Sequence, residues 1–413
     1  MAGVWRTADE AVSLVEPGMT LALCGASAEP LDLLEALSRR ADECRDLTIL
    51  TGMLLDGYAP LADFAQRGWT IRTWFMPGTL TDRDVSAEGF EFLPLTWSQV
   101  WRYLRETHID VAFTHVTPAD DQGRHSLGIS TSHGRVMIEA ADTVIAQVNT
   151  SMPFTYGDAS MVPADDLDVL VETDRPLVPF PHRAGDERDR EIARHVVGLV
   201  PDGAAVQVGI GTIPSMVLAE LASSGVRGLR LHSQVTEAGR PVLESEAATV
   251  DVPAARVGEI VGSTELYDWS NRNERIEMID AARSHSVDGV RGVEKLVSIN
   301  SALEVDLLGQ VNSEWLGGSH VGGIGGSVDF AIAGQIDGNL CIVALPSTTR
   351  SGRSRIVERL GSPGVTVSRT FLQFVVTDHG VADLRNKSVR ERARAIAAIS
   401  DPAHRDALMA VAQ

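Results

Sequence analysis

The sequence is short of cysteine, of cations, of aromatic rings and of long apolar runs, and each shortage removes a class of function. Cys24, Cys44 and Cys341 are its only cysteines, scattered and never in a CxxC pair, which leaves neither a disulfide framework nor a zinc cluster. They read as small core residues in a reducing cytoplasm. Lys and Arg number 36 against 56 Asp and Glu, a formal charge of −20. That balance excludes non-specific nucleic-acid binding and attraction to an anionic membrane, both of which need clustered cations. No stretch reaches the ~18 uninterrupted apolar residues of a membrane span. Asp9, Glu10 and Glu16 precede the first apolar run, the wrong order for a signal peptide. Aromatics make up only 5% of the chain, so no stacking cage for a large ring ligand stands out.

Catalytic signatures are missing too. "CGASAEP", "GGSHV" and "GGSVD" each lack the closing glycine of a GxSxG nucleophile elbow. No HExxH or other closely spaced ligand set occurs, so no dedicated metal site is expected. "VGIGTIP" places Pro214 where the dinucleotide fingerprint needs a glycine, which sets aside a nicotinamide-dependent oxidoreductase.

What is present is an ordinary soluble composition, 44% hydrophobic and 22% charged over 413 residues, enough for two domains. Short Val, Ile and Leu runs ("MTLALCG", "LTILTG", "VAFTHV", "TVIAQVN", "LDVLVET", "AAVQVGIG", "LVSIN", "LCIVALP", "FVVTD") alternate with amphipathic stretches such as "PLDLLEALSRRADEC", "SMVLAELASSG" and "VRERARAIAAI". This is the texture of α/β units around largely parallel sheets. Pro176, Pro179 and Pro181 followed by a charge run predict a junction near residue 182, giving domains 1–182 and 183–413.

Several local patterns could carry chemistry. Gly209 and Gly211 turn a strand into a helix that has Pro214 in its first turn, leaving backbone N–H groups around Ile210 free to face an anion or a polarised carbonyl. Gly322, Gly323, Gly325 and Gly326 permit close approach of a ligand or of another backbone. "STTRSGRSRIVERL" brings Arg350, Arg353 and Arg355 just past a strand: a phosphate contact or a solvated face.

In their order along the chain these pieces resemble the acetyl-CoA hydrolase/transferase family, family I CoA-transferases that include the 4-hydroxybutyrate enzymes. The resemblance covers nearly the whole length, through "GASAEPLDLLEAL", "VTPADDQGRHSLGIS" and "VIAQVNTSMPFTYGDA", then "VGIGTIPSMVLAEL", "VGSTELYDW", "SINSALEVDLLGQVNSEWLGG", "GIGGSVDF", "IVALPSTTRSGRSRIV" and "VVTDHGVADLRNKSVRERA". It implies two tandem CoA-transferase-type α/β domains with an interdomain cleft, a homodimer, coenzyme A as substrate with no permanently bound cofactor, and a small carboxylic acid as co-substrate. It also implies oxyanion donors near Ile210 and Gly326, with the second glycine loop and Arg350 and Arg353 as CoA contacts.

The family's nucleophile is a glutamate in His-Thr-Glu or His-Ser-Glu at the end of a strand. Here "LHSQVTEAG" puts Gln234 at that position, and a neutral amide neither attacks a thioester nor leaves again at useful rates. Three readings follow. Gln234 is an introduced residue, against which the altered neighbours speak. Or Glu237 has taken over, although three residues along an extended chain move a side chain about 10 Å and to the opposite face. Or the reaction itself has changed, with Gln234 orienting water or a carboxylate and His232 or Glu304 as base. The expected activity is CoA transfer or thioester hydrolysis on small or medium acyl groups; decarboxylation of an acyl-CoA and non-catalytic acyl-CoA binding are the alternatives.

Overall fold

The computed structural model describes residues 3–61, 64–76, 89–181 and 183–412. The chain forms two compact units, Met1–Pro181 with Arg256–Ser284, and His182–Ala255 with His285–Gln413. The predicted junction at 182 falls on a residue outside the described set. Residues 256–284, placed by the sequence reading after that junction, belong to the first unit. Specific contacts hold them there: Thr131 donates to the carbonyls of Gly258 (3.3 Å) and Ile279 (3.1 Å), and the Tyr267 hydroxyl donates to Ser27 at 2.7 Å.

The eight-stranded sheet of the first unit is built from β1 (Val4–Trp5), β2 (Thr20–Leu23), β3 (Thr48–Thr51), β4 (Thr70–Thr73), β5 (Phe90–Phe92), β6 (Ile109–Val116), β7 (Ala141–Asn149) and β8 (Val169–Thr173). They lie in the order β1-β8-β7-β6-β2-β3-β4-β5, and every pairing is parallel. A parallel strand covered on both faces is apolar almost throughout, as in β6, "IDVAFTHV", of which only Asp110 is not fully buried. Helix α1 (Leu31–Arg39) turns Leu33, Leu34 and Leu37 into one cluster with Leu21, Ile49 and Phe113. The order reverses at β2. From there the chain winds outward to β5 and then returns to β6 on the other side.

The second unit repeats this device. Its sheet contains β9 (Ala205–Val208), β10 (Arg230–Thr236), β11 (Leu296–Ser301), β12 (Leu340–Ala344), β13 (Phe374–Thr377) and β14 (Gly380–Asp383), in the order β10-β9-β11-β12-β13-β14. All pairs are parallel except β13 with β14. Helix α2 (Glu187–Val197) begins at a capping box in which Asp186 accepts from Asp189 N–H and Asp189 reaches back to Asp186. Helices α3 (Thr212–Ser223) and α4 (Ser327–Ala333) follow the two glycine clusters. Here the reversal lies between β9 and β11. In open parallel sheets the crevice beyond the carboxyl ends of the strands at such a reversal is where ligands bind. Among the described residues no helix is long and apolar enough to cross a membrane.

Ile299 sits fully buried in β11 while Val250 is 92% exposed. Ile299→Ala is expected to cost about 2–5 kcal/mol in urea unfolding, and Val250→Ala less than about 0.5 kcal/mol.

Candidate functional site

At the reversal of the second unit β9 ends at Val208, and the chain turns through Gly209, whose N–H donates to Ile299 O at 2.9 Å. A Cβ on Gly209 would lie 3.2 Å from Asn300 Oδ1, so glycine lets the turn press against β11. Asn300 in turn donates to Gln207 at 3.2 Å. Ile210 is 48% exposed, an apolar side chain held out on the turn. Gly211 has φ +141° and starts α3 without a side-chain cap, so the first-turn N–H groups have no capping side chain and favour negative charge.

Neighbouring β10 carries the candidate nucleophile position. Ser233 has φ +77°, a left-handed conformation that costs a residue with a side chain about 1–3 kcal/mol. This breaks the alternation by which His232 and Gln234 would share a face. His232 is buried with its ring edge-on to Phe330, centroids 6.2 Å apart. Gln234, 9% exposed, donates from Nε2 to Val208 O at 2.8 Å. The opposite amide orientation would set two oxygens against each other, which fixes the assignment. A carboxylate in this geometry would meet the same repulsion. The arrangement therefore suits an amide and leaves Oε1 as the available acceptor.

The remaining predicted residues are distributed around this edge and beyond it. Glu237 is half-buried in the turn that leads to Gly239. Glu304 lies in a separate short sheet, paired through residues 304–306 with Val311–Asn312 and Ile356–Val357. Gly325 has φ +55° and Gly326 caps α4. A Cβ on Gly326 would come within 2.6 Å of the His285 ring, so only glycine fits that position. Gly323 is half-buried in the same loop. Arg350 and Arg353 are exposed on a turn closed by Thr349 N–H to Arg353 O at 2.8 Å.

The structure adds Arg188 to them and places Arg355 beside it. Arg188, in the first turn of α2, donates to Thr348 at 3.3 Å. Arg355 donates to Leu303 O at 2.9 Å, and burial lowers its pKa, with Arg353 and Arg188 adding to the effect and Glu304 opposing it. Glu304 is thus the acidic neighbour of a basic group.

The reversal of the first unit gathers polar groups that composition does not announce. Glu29, 2% exposed, accepts the N–H groups of Leu55 (2.9 Å), Asp56 (2.7 Å) and Gly57 (3.0 Å). Burial raises its pKa against the pull of those three donors. It pins the loop after β3. His115, at the end of β6, is held by Ala28 O (3.2 Å) and Gln147 (3.4 Å), and burial lowers its pKa to about 4. Cys24 donates to Ala28 O at 3.0 Å, and burial together with the charge of Glu29 pushes its thiol well above the ordinary value. A thiol in that state is not a nucleophile. Burial pushes Glu259 up to about 7, with the hydroxyls of Ser132 and Ser130 pulling the other way. Among the described residues His108, Asp110 and Asp142 bring potential metal-ligating atoms within 4.8 Å of one another. They lie at the amino ends of β6 and β7, away from the reversal.

Comparison with known proteins agrees with this architecture. Residues 5–181 match the model of the acetyl-CoA hydrolase/transferase N-terminal domain and residues 262–412 that of the C-terminal domain. The chain is 34% identical to the 4-hydroxybutyrate coenzyme A transferase of Clostridium kluyveri, covering 98% of this chain and 96% of that protein. It is 30% identical to the butyryl-CoA:acetate CoA-transferase of Anaerostipes caccae, covering 98% and 94%. The crystal structure of RipA from Yersinia pestis superposes with a TM-score of 0.92 at 27% identity, covering 99% and 97%.

Glu259 supplies a test of the first unit's electrostatics. Between its ordinary value of 4.5 and about 7 the folded protein keeps a proton that the unfolded chain releases, so this group's contribution to stability falls as pH rises through that window. Glu259→Gln removes the effect, and the variant's thermal midpoint relative to the parent is expected to improve steadily from pH 5 to pH 8. A difference that does not change with pH contradicts the assignment. His115 works in the opposite sense, its contribution being lost as pH falls from 6.5 to about 4.

Proposed function

Because the chain belongs to the acetyl-CoA hydrolase/transferase family, we propose that this enzyme cleaves acyl-CoA thioesters without a glutamyl-CoA intermediate, hydrolysis being favoured over exchange of CoA between acids. The observation that carries this reading is Gln234, anchored to Val208 O at 2.8 Å at the position where the family resemblance expects a glutamate. An amide cannot form the anhydride and thioester of ping-pong CoA transfer.

The rest of the edge suits thioester cleavage. Attack on the acyl carbonyl makes an oxyanion, and N–H donors near Ile210 and Gly326 can face it; each well-placed donor lowers the barrier by about 2.7–4 kcal/mol. Gln234 Oε1 accepts a hydrogen bond from the attacking O–H. Arg188, Arg353 and Arg355, a basic group in an acidic chain, suit the phosphates of CoA, and charge-assisted bonds there hold the leaving group's distal end. Small or medium acyl groups are the expected acyl part of the substrate, with CoA passing through as substrate; a small acid is a co-substrate only in the transfer reading. A reducing cytoplasm accords with three unpaired cysteines, and a homodimer is expected from the family resemblance.

CoA transfer is the second reading, favoured by the full-length similarity to two CoA-transferases. It requires another carboxylate, for which Glu237 is the nearest candidate in sequence. Decarboxylation and non-catalytic binding have no support among the relatives above.

Incubation with acetyl-, butyryl- and succinyl-CoA, each with and without acetate, followed by mass spectrometry of the products, separates these readings. Free CoA released equally with and without acetate is the expected result. New acyl-CoA species that appear only with acetate would establish transfer instead.

A further inference from the structure

The kink in β10 has a second consequence. Ser233 is 6% exposed, and its Oγ lies 3.4 Å from His285 Nε2. His285 is itself 5% exposed, with its ring tilted against Phe330 at a centroid distance of 4.7 Å. Gly326 lies where the two rings meet: a Cβ there would stand 2.7 Å from His285 Nε2 and 2.9 Å from Phe330 Cε2. The imidazole is thus packed against an aromatic ring with a glycine at their shared edge, and this packing restricts its orientation beside the hydroxyl. Gly326 belongs to the loop already read as an oxyanion donor. Hydroxyl, imidazole and glycine loop converge beside the one position where an amide stands in place of the expected carboxylate.

A serine placed only to fill space needs neither a strained backbone nor an imidazole packed beside its hydroxyl. Strain of this kind concentrates where a side chain must be presented at an unusual angle. The strained elbow of serine hydrolases does the same with a GxSxG turn; here a positive φ inside a strand replaces the turn. The 3.4 Å separation is long for an O–H···N bond and typical of a nucleophile and its base before substrate arrives.

We propose that Ser233 is the nucleophile of this enzyme and His285 its general base. This rests on the acyl-CoA reading above and names the group that performs the cleavage. Ser233 Oγ bonds to the thioester carbonyl carbon as its proton passes to His285 Nε2, which requires the imidazole to carry its other proton on Nδ1. The tetrahedral intermediate collapses by breaking the C–S bond, and the thiolate takes the proton from His285 and leaves as CoA. Water then attacks the seryl ester, giving its proton to His285. The C–O bond to Ser233 breaks, the hydroxyl recovers that proton, and the carboxylic acid departs. No oxidant, metal or further reactant is needed.

The test is a rapid-quench experiment with butyryl-CoA, reading both the CoA released and the acyl group covalently bound to peptides of the enzyme. Ser233→Gly is the chosen variant because glycine adopts φ near +77° without strain, so removing the hydroxyl does not unfold the strand. His285→Gln is the second, and circular dichroism checks that both are folded. The parent is expected to show a butyryl adduct on Ser233. Ser233→Gly is expected to show no adduct and to release CoA at least about 10²-fold more slowly, and His285→Gln to acylate about 10²–10⁴-fold more slowly. CoA release by Ser233→Gly at the parental rate, or an adduct on another residue such as Glu237, overturns the Ser233 assignment and leaves the acyl-CoA reading intact. Absence of CoA release by the parent with butyryl-, acetyl- and succinyl-CoA overturns both.

Discussion

The hydrogen bond from Gln234 Nε2 to Val208 O, 2.8 Å long, is the constraint on which the proposed chemistry of the second unit rests. It ties the side chain on β10 to the last carbonyl of β9, beside the turn at Gly209. An anionic oxygen at the same atom would face that carbonyl across a poorly solvated gap, and the repulsion would raise its pKa or drive it elsewhere. The local backbone is thus matched to a donor. On the proposed reading, the glycine turns, the uncapped start of α3 and the arginine group would stabilise an oxyanion and hold phosphates.

The two units use the same topological device with different electrostatics. At the first reversal burial holds His115 neutral, keeps Cys24 protonated and raises Glu259 to about 7. At the second, the guanidiniums of Arg188, Arg353 and Arg355 gather near Glu304, with Asp186 3.9 Å from Arg188. A chain with a formal charge of −20 repels polyanions at long range, but that field is screened beyond about 8 Å at physiological salt. A local basic group then determines where an anion settles.

Much of the fold was legible because parallel strands buried on both faces must be apolar. Each Val- and Ile-rich run read as a strand, from "MTLALCG" to "FVVTD", contributes to one of the two sheets. The helix after "GIG" was legible from its glycines and Pro214, whereas the helix Ser327–Ala333 after "GIGG" was not predicted. The return of residues 256–284 to the first unit was not, because it depends on tertiary hydrogen bonds such as Tyr267 to Ser27 that no local pattern encodes. Arg188 escaped notice for the same reason: it lies in a charge run 160 residues from Thr348, the side chain to which it donates. Alternation predicted one face for His232 and Gln234, and it failed at Ser233 because a positive φ at a serine has no propensity signal. Glu29 could have been suspected as an acid just after a buried strand, although its three backbone partners come from another loop.

The central claim is that this fold handles acyl-CoA without ever binding CoA covalently. Its most direct test is borohydride treatment of the protein during turnover of acetyl-CoA with acetate present, followed by intact-mass measurement and peptide mapping. A glutamyl-CoA thioester is reduced by borohydride to a stable alcohol that marks the carboxylate. The account predicts no reduced glutamate and no CoA-modified protein. A reduced Glu237, or CoA attached through any carboxylate, would contradict it and restore the ping-pong mechanism.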